Sequence, residues 1–373
     1  MNVTARTVNL AGTSYEIGKQ IGKITKAIPR LMALHASGMD NFGEAEVQQA
    51  IALFDRWCPG LSEELQGFAD ALEAPLTKIL YYGMTYLRPR PRCSQIGLLP
   101  CMTESGLPLV ARNYEFDSNA EDFCLMRTSV EGKYTHMGTS ALNFGRDDGF
   151  NDQGLAVTMS SCGFPVGPMP YMRAPQLAGM QFWAVTRAVL ESCKNVDEAL
   201  AYIKDMPIAY NLNMLLTDEG GHIALVETLD GRMAVKRIQN GDAEGYLCAT
   251  NHPVLPELIP YEPKAMRHSL VRYQWVQEQL NGAKDVTKDK LKTMLLSEFP
   301  NGLSCHYYKD FFGTTKSMVI DPTSGTIDLC WGGDTANGWR QYDIRQPLPT
   351  EFHDTILRNE DFPPEMAEFL TLT

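Results

Sequence analysis

The chain has 373 residues, enough for one large domain or two ordinary ones. Hydrophobic and charged fractions of 44% and 21% are typical of a soluble globular protein, and a net charge of −12 disfavours a nucleic-acid partner. Met1 to Thr7 holds no apolar signal core, and no later run has the roughly 18 apolar residues of a span, so a cytoplasmic protein without a membrane partner is expected.

Residues 13–86 read mainly as helix. Thr13-Ser14-Tyr15-Glu16 has the form of a capping box, and Ile17, Ile21 and Ile24 recur at helical spacing. Further helices are predicted at 43–57, 61–73 and 76–86. Arg88-Pro89-Arg90-Pro91-Arg92 rules out regular helix, since each proline removes a donor and restricts the residue before it. From Cys93 onward the texture changes to short β-rich runs. Strands are predicted at 107–114, 123–130, 134–139 and 155–161, then a helical pair at 177–192 and 196–204. Strands return at 213–217, 222–228, 233–238 and 246–250, with Asp218-Glu219-Gly220-Gly221 and Asp230-Gly231 as turns. Helices at 264–280 and 288–296 precede a last strand pair, 315–320 and 326–331. The order of these blocks predicts an α+β protein of stacked layers, helices lying outside two mainly antiparallel sheets. The division falls at Cys93: a helical segment, 1–92, packed on a single core, 93–373. The tail, 332–373, is expected to wrap the surface and shows no readable chemistry.

Nine cysteines, an odd number without a signal peptide, point to reduced thiols. No Cys-x-x-Cys or His-Glu-x-x-His spacing is present, so neither a metal nor another cofactor is expected. Cys124, Cys162, Cys193, Cys248 and Cys330 lie in apolar runs and read as core. Cys93 differs because an extended basic segment runs into its strand, Cys93-Ser94-Gln95-Ile96-Gly97. Read alone, that segment is better taken as a solvated basic linker. A thiol with a pKa of about 8.5 needs a base in order to attack an amide. Were the Arg92–Cys93 bond broken, Cys93 would carry an α-amino group of pKa about 7.7–8.0, placing nucleophile and base on one residue.

Several stretches in fixed order resemble the N-terminal-nucleophile amide hydrolases, in the cysteine branch that includes penicillin acyltransferase precursors, choloylglycine hydrolases and acid-ceramidase-like amidases. They are Gly12-Thr13-Ser14-Tyr15-Glu16-Ile17-Gly18 with Gly22, Pro59 to Gly67, Cys93-Ser94, Arg112-Asn113, Asn151 to Val157, Thr250-Asn251-His252-Pro253, and Ser269-Leu270-Val271-Arg272-Tyr273. The resemblance implies a four-layer αββα sandwich and self-cleavage between Arg92 and Cys93. Catalysis would follow through a Cys93 thioester, on a small N-acyl compound, by hydrolysis or by acyl transfer.

It also implies roles. Arg112 would lower the thiol pKa and hold a substrate carbonyl, or pair with Glu115 as a buried ion pair. Asn251 would donate to the oxyanion, or serve as a turn residue before Pro253. Arg272 would orient Cys93 or Asn251, or form a helix-surface salt bridge. Ser161, Asn113 and Asp117 are oxyanion or substrate candidates. Three departures stand out: Glu115 occupies the usual place of an aspartate, with Asp117 as fallback; Ser161 stands where some relatives have asparagine; and Arg92 precedes the nucleophile in place of glycine. Arg92 and Ser161 leave a competing reading open, an uncut and silent relative that binds a ligand or partner. Phe164, Met169, Tyr171, Met172 and Phe182 are candidates for an apolar acyl pocket or ordinary core. Homo-oligomerisation stays open.

Overall fold

The computed structural model of the chain describes residues 1–35, 42–79, 92–163, 176–310 and 312–372. The predicted helix past residue 79, the prolines at 89 and 91, and Phe164, Met169, Tyr171 and Met172 lie outside them. The chain opens with a strand not read from the sequence, β1 (Asn2–Gly12), followed by α1 (Ser14–Lys26), α2 (Pro29–His35), α3 (Glu44–Trp57) and α4 (Leu61–Leu72). The capping box forms as read: the Thr13 hydroxyl accepts from the Glu16 N–H, and the Glu16 carboxylate accepts from the Thr13 N–H.

Next come β2 (Arg92–Leu98), β3 (Leu109–Phe116), β4 (Cys124–Val130), β5 (His136–Ala141), β6 (Phe144–Asn151) and β7 (Leu155–Ser161). The helices α5 (Phe182–Ser192) and α6 (Val196–Ile203) lead to β8 (Leu212–Asp218), β9 (His222–Leu229), β10 (Arg232–Gln239) and β11 (Tyr246–Ala249). A short strand, β12 (Lys264–Met266), replaces the expected first turn of α7 (Arg267–Leu280), and α8 (Lys288–Leu296) follows. The remainder is β13 (His306–Tyr307), β14 (Phe312–Asp321), β15 (Thr326–Trp331), β16 (Arg340–Asp343), β17 (Phe352–Ile356) and β18 (Phe369–Thr371).

The strands form two large sheets. One has nine strands in the order β10-β9-β8-β7-β6-β5-β4-β1-β17, and the other runs β11-β2-β3-β14-β15-β16 with β13 beside β14. The β1–β4 pair is parallel and the other described pairs are antiparallel. Helices cover both outer faces, so the layering is αββα. Ile17, Ile21, Leu65, Phe68, Phe144 and Trp183 join α1, α4 and α5 to the nine-stranded sheet. Ile96, Leu98, Val276, Leu291 and Leu295 join α7 and α8 to the other. Met137, Phe150, Met318 and Ile320 fill the space between the sheets.

The segment ahead of Cys93 is built into this frame. α1 and α4 touch backbone to backbone, since a Cβ on Gly18 would lie 1.9 Å from the Glu64 carbonyl oxygen and one on Gly67 2.1 Å from that of Tyr15. Glu64 of α4 forms a buried bidentate pair with Arg187 of α5, at 2.6 and 3.1 Å. The tail joins the frame as well: β17 pairs with β1, and β18 with β12. Among the described residues no helix is long and apolar enough to cross a membrane, and no cluster of three His, Cys, Asp or Glu side chains could hold a metal ion.

Candidate active site

Cys93 enters β2 one residue after its start, and the β2–β3 register sets it opposite Tyr114, Ser94 opposite Asn113 and Gln95 opposite Arg112. Directly opposed residues of an antiparallel pair share a face, and faces alternate along each strand. Cys93, Gln95, Arg112 and Tyr114 therefore look towards the nine-stranded sheet, and Ser94, Asn113 and Glu115 towards the helices. Arg92 begins β2 in register with Glu115.

The backbone of Cys93 is held from both sides. Its N–H donates to Asn251 Oδ1 at 2.8 Å, and its carbonyl accepts from Arg272 Nη1 at 2.7 Å. The same Nη1 reaches Ser94 Oγ at 2.8 Å, while Arg272 Nη2 donates to Asn251 Oδ1 at 2.8 Å. Two donors on Oδ1 fix the Asn251 amide, turning Nδ2 to Ser161, where it meets the carbonyl oxygen at 3.2 Å and Oγ at 3.1 Å. Arg272 is thus no surface residue. It is fully buried on α7, and Ser269, three residues earlier, accepts from the Asn251 N–H at 2.8 Å.

On the thiol side the main cation is Arg112, fully buried and paired with Asp148 of β6 at 2.9 Å. This corrects the expected partner: the ion pair is with Asp148, because Glu115 lies on the opposite face of β3. Arg112 Nη1 also donates to the Asn113 carbonyl at 2.6 Å, while Nη2 makes no conventional hydrogen bond. Burial opposes the charge of Arg112, but Asp148 and Cys93 hold it firmly protonated. Burial pushes the Cys93 thiol up to about 12; Arg112 pulls it down, and Glu115 and Asp148 add to the rise. Tyr114 lies beside the thiol, its ring 5.0 Å from the Arg112 guanidinium and 4.3 Å from the Lys316 ammonium. Lys316 in turn bonds Glu121 and Asp147 at 3.1 and 3.0 Å.

Other expected residues fall elsewhere. Asn113 donates to the Leu295 carbonyl at 2.7 Å and ties β3 to α8. Asp117 caps the turn after β3, accepting from the Asn119 N–H at 2.9 Å. Phe182 packs on Tyr210, with ring centroids 4.9 Å apart, in the helix–sheet core. Glu115 stands 3.7 Å from Arg272 Nη1 and accepts from Thr314 Oγ1 at 3.2 Å. Burial raises its carboxyl to about 7, against the pull of Arg272 and Arg112.

An unfolded glutamate titrates near 4.3, so the stabilisation from the neutral Glu115 carboxyl is complete below about pH 4 and is lost as pH rises through 7. Glu115→Gln is neutral throughout. Between pH 5 and 8 its stability relative to wild type is expected to improve by about 1–3 kcal/mol in urea titrations. A difference independent of pH would exclude a raised carboxyl.

The family model described as acyl-coenzyme A:6-aminopenicillanic acid acyl-transferase matches residues 101–336, more than half of the chain. The chain belongs to this family. The matched span begins beyond Cys93 and takes in Arg112, Glu115, Asn251 and Arg272. Solved structures similar to this family member include a variant of the conjugated bile acid hydrolase from Clostridium perfringens, at 12% identity and a TM-score of 0.45, covering 72% of this chain and 98% of that one. The penicillin V acylase from Agrobacterium tumefaciens is similar at 17% identity and a TM-score of 0.39, over 64% of this chain and 83% of that one. A third is the Caenorhabditis elegans ortholog of N-acylethanolamine-hydrolyzing acid amidase, at 13% identity and a TM-score of 0.42, over 62% and 93%. Comparison with curated proteins yields no match.

In this acyltransferase-family chain Asp148, Gln95 and His268 also pack around the site residues, though no sequence motif marks them. Asp148 sits in a charged stretch that shows no strand alternation. Gln95 accepts from Thr158 Oγ1 at 2.8 Å and donates to Ser160 Oγ at 3.1 Å and the Asn213 carbonyl at 2.9 Å, bolting β2 to β7 and β8 beside Cys93. His268 lies four residues before Arg272, a spacing that puts both on one helix face.

Proposed function

We propose that the chain is a proenzyme that cuts itself between Arg92 and Cys93 and then acts as a cysteine amidase or acyltransferase on a small N-acyl compound. The observation that carries this reading is the grip on Cys93: Asn251 on its N–H, Arg272 on its carbonyl, and Arg112 on the thiol side. A structural cysteine in a strand needs no such set of partners.

In the cutting step the Cys93 sulfur adds to the Arg92 carbonyl carbon and its proton passes to the Cys93 nitrogen. The C–N bond breaks, leaving a thioester that water hydrolyses to the Arg92 carboxylate and a free thiol. Before the cut, the Cys93 nitrogen is an amide and cannot serve as the base for attack on a separate substrate, while burial pushes the thiol up to about 12. Afterwards an α-amine of pKa about 7.7–8.0 stands beside the thiol. It takes the thiol proton as sulfur attacks the substrate acyl carbon, then gives it to the departing amine nitrogen. Water or an acceptor amine releases the acyl group. Asn251 Nδ2 supplies the oxyanion donor, and the N-terminal piece stays bound through β1 and the Glu64–Arg187 pair.

The test uses N-acyl p-nitroanilides of graded chain length. Release of p-nitroaniline, with an acyl mass trapped by acid quench on the peptide that begins at Cys93, is the expected result; turnover without acylation of Cys93 would sink the proposal. The deep burial of Cys93 also favours a second reading, an uncut binding protein. There Cys93 would react with iodoacetamide no faster than an average exposed thiol.

A further inference from the structure

We infer that His268, backed by Cys305, is the positioning residue that sets Arg272 and, through it, the Cys93–Asn251 pair. The inference rests on the role proposed above for Cys93 and concerns a residue outside that set. Arg272 Nε donates to His268 Nδ1 at 3.2 Å, and His268 Nε2 lies 3.3 Å from Cys305 Sγ. An arginine Nε–H only donates, so Nδ1 must carry the lone pair and Nε2 the proton, which points at the sulfur. The Cys305 thiol has its own acceptor in the Leu303 carbonyl at 3.6 Å. The tautomer of the ring is thereby set from both ends, and a protonated ring would lose the bond to Arg272.

The surroundings hold the ring in place. His268 is fully buried, its ring centroid 4.3 Å from Phe299, 6.3 Å from Tyr307 and 6.0 Å from Phe362. Phe362 comes from the tail, which also fixes the start of α7: the Arg267 N–H donates to the Glu368 carbonyl at 2.7 Å, and Arg267 Nη2 meets the Glu368 carboxylate at 2.5 Å. With Nε tied to His268, the guanidinium plane cannot turn, and its two outer nitrogens are left for the Cys93 carbonyl, Ser94 and Asn251. A misplacement of about 1 Å at such a site costs about a hundredfold in rate.

The experiment compares full-length wild type with His268→Phe, which keeps the aromatic packing but has no acceptor, and His268→Asn, whose Oδ1 can take the place of Nδ1. Two readouts are taken: solvent exchange of the Arg272 Nε–H by NMR, assigned by its absence in Arg272→Lys, and turnover of an N-acyl p-nitroanilide. A slowly exchanging Nε–H is expected in wild type and His268→Asn and is lost in His268→Phe. kcat is expected to fall about a hundredfold in His268→Phe with KM nearly unchanged, and to recover to within about tenfold in His268→Asn. Should His268→Phe fail to fold, Cys305→Val decides, with faster exchange and a kcat lower by about fivefold. Slow exchange surviving the loss of the acceptor, or His268→Asn falling as far as His268→Phe, overturns the inference. A wild type without turnover whose Arg272 exchange still depends on His268 rejects the proposed function and leaves the positioning role standing.

Discussion

Cys93→Ala is expected to remain one full-length chain under denaturing conditions, whereas wild type separates into residues 1–92 and 93–373. Turnover of N-acyl p-nitroanilides is expected to vanish with the cut, because one sulfur serves both steps. The folded frame should survive: alanine leaves the Cys93 N–H and carbonyl in place for Asn251 and Arg272. Removing a small buried side chain costs at most about 1–2 kcal/mol, so thermal melts of the two proteins should lie within a few degrees. Intact mass and melting together check this. Two fragments from the alanine variant would show cleavage by another agent. A single chain from both proteins would point to the uncut, silent relative.

Asn251→Ala is expected to lower kcat about 10²–10³-fold, the usual loss on removal of one oxyanion donor. Two effects contribute to that figure, since Asn251 also grips the Cys93 N–H and Arg272 through Oδ1. Asn251→Asp separates them, as it keeps an acceptor for both donors and loses the Nδ2 protons. If donation to the oxyanion is what matters, the aspartate variant falls as far as the alanine variant. Recovery of most activity in Asn251→Asp would assign the residue to holding Cys93 and would move the oxyanion donor to the backbone around Ser161. Single-turnover kinetics on both variants distinguish the cases.

Much of the frame was legible in the order of residues. The spacing of Ile17 and Ile21, the Thr13–Glu16 box and the alternating runs of β7 to β10 are local signals, set by the helix period, by capping and by the strand period. So too was the start of the strand that carries Cys93, since the prolines ahead of it forbid helix. β6 was not legible. Phe144 to Asn151 includes Arg146, Asp147 and Asp148, a composition that reads as loop, yet every residue of it is buried. Its charged side chains find partners on other elements: Arg146 donates to the His136 ring and the Thr128 hydroxyl, while Asp147 pairs with Lys316 and Asp148 with Arg112.

The same limit governs the site. The chain alone placed Arg112 and Glu115 three residues apart on one strand and invited pairing them, but an odd spacing puts them on opposite faces. Only the stacking of the two sheets gave Arg112 its partner in Asp148, and only the docking of α7 gave Glu115 to Arg272. The tail showed no chemistry in its sequence because its part is contact: Phe362 against His268 and Glu368 against Arg267. Local periodicity thus determined most of the helices and the alternating strands, though not β1 or β6. Which charges meet was decided by tertiary packing, because a buried ion is stable only beside a counter-charge that another layer brings to it.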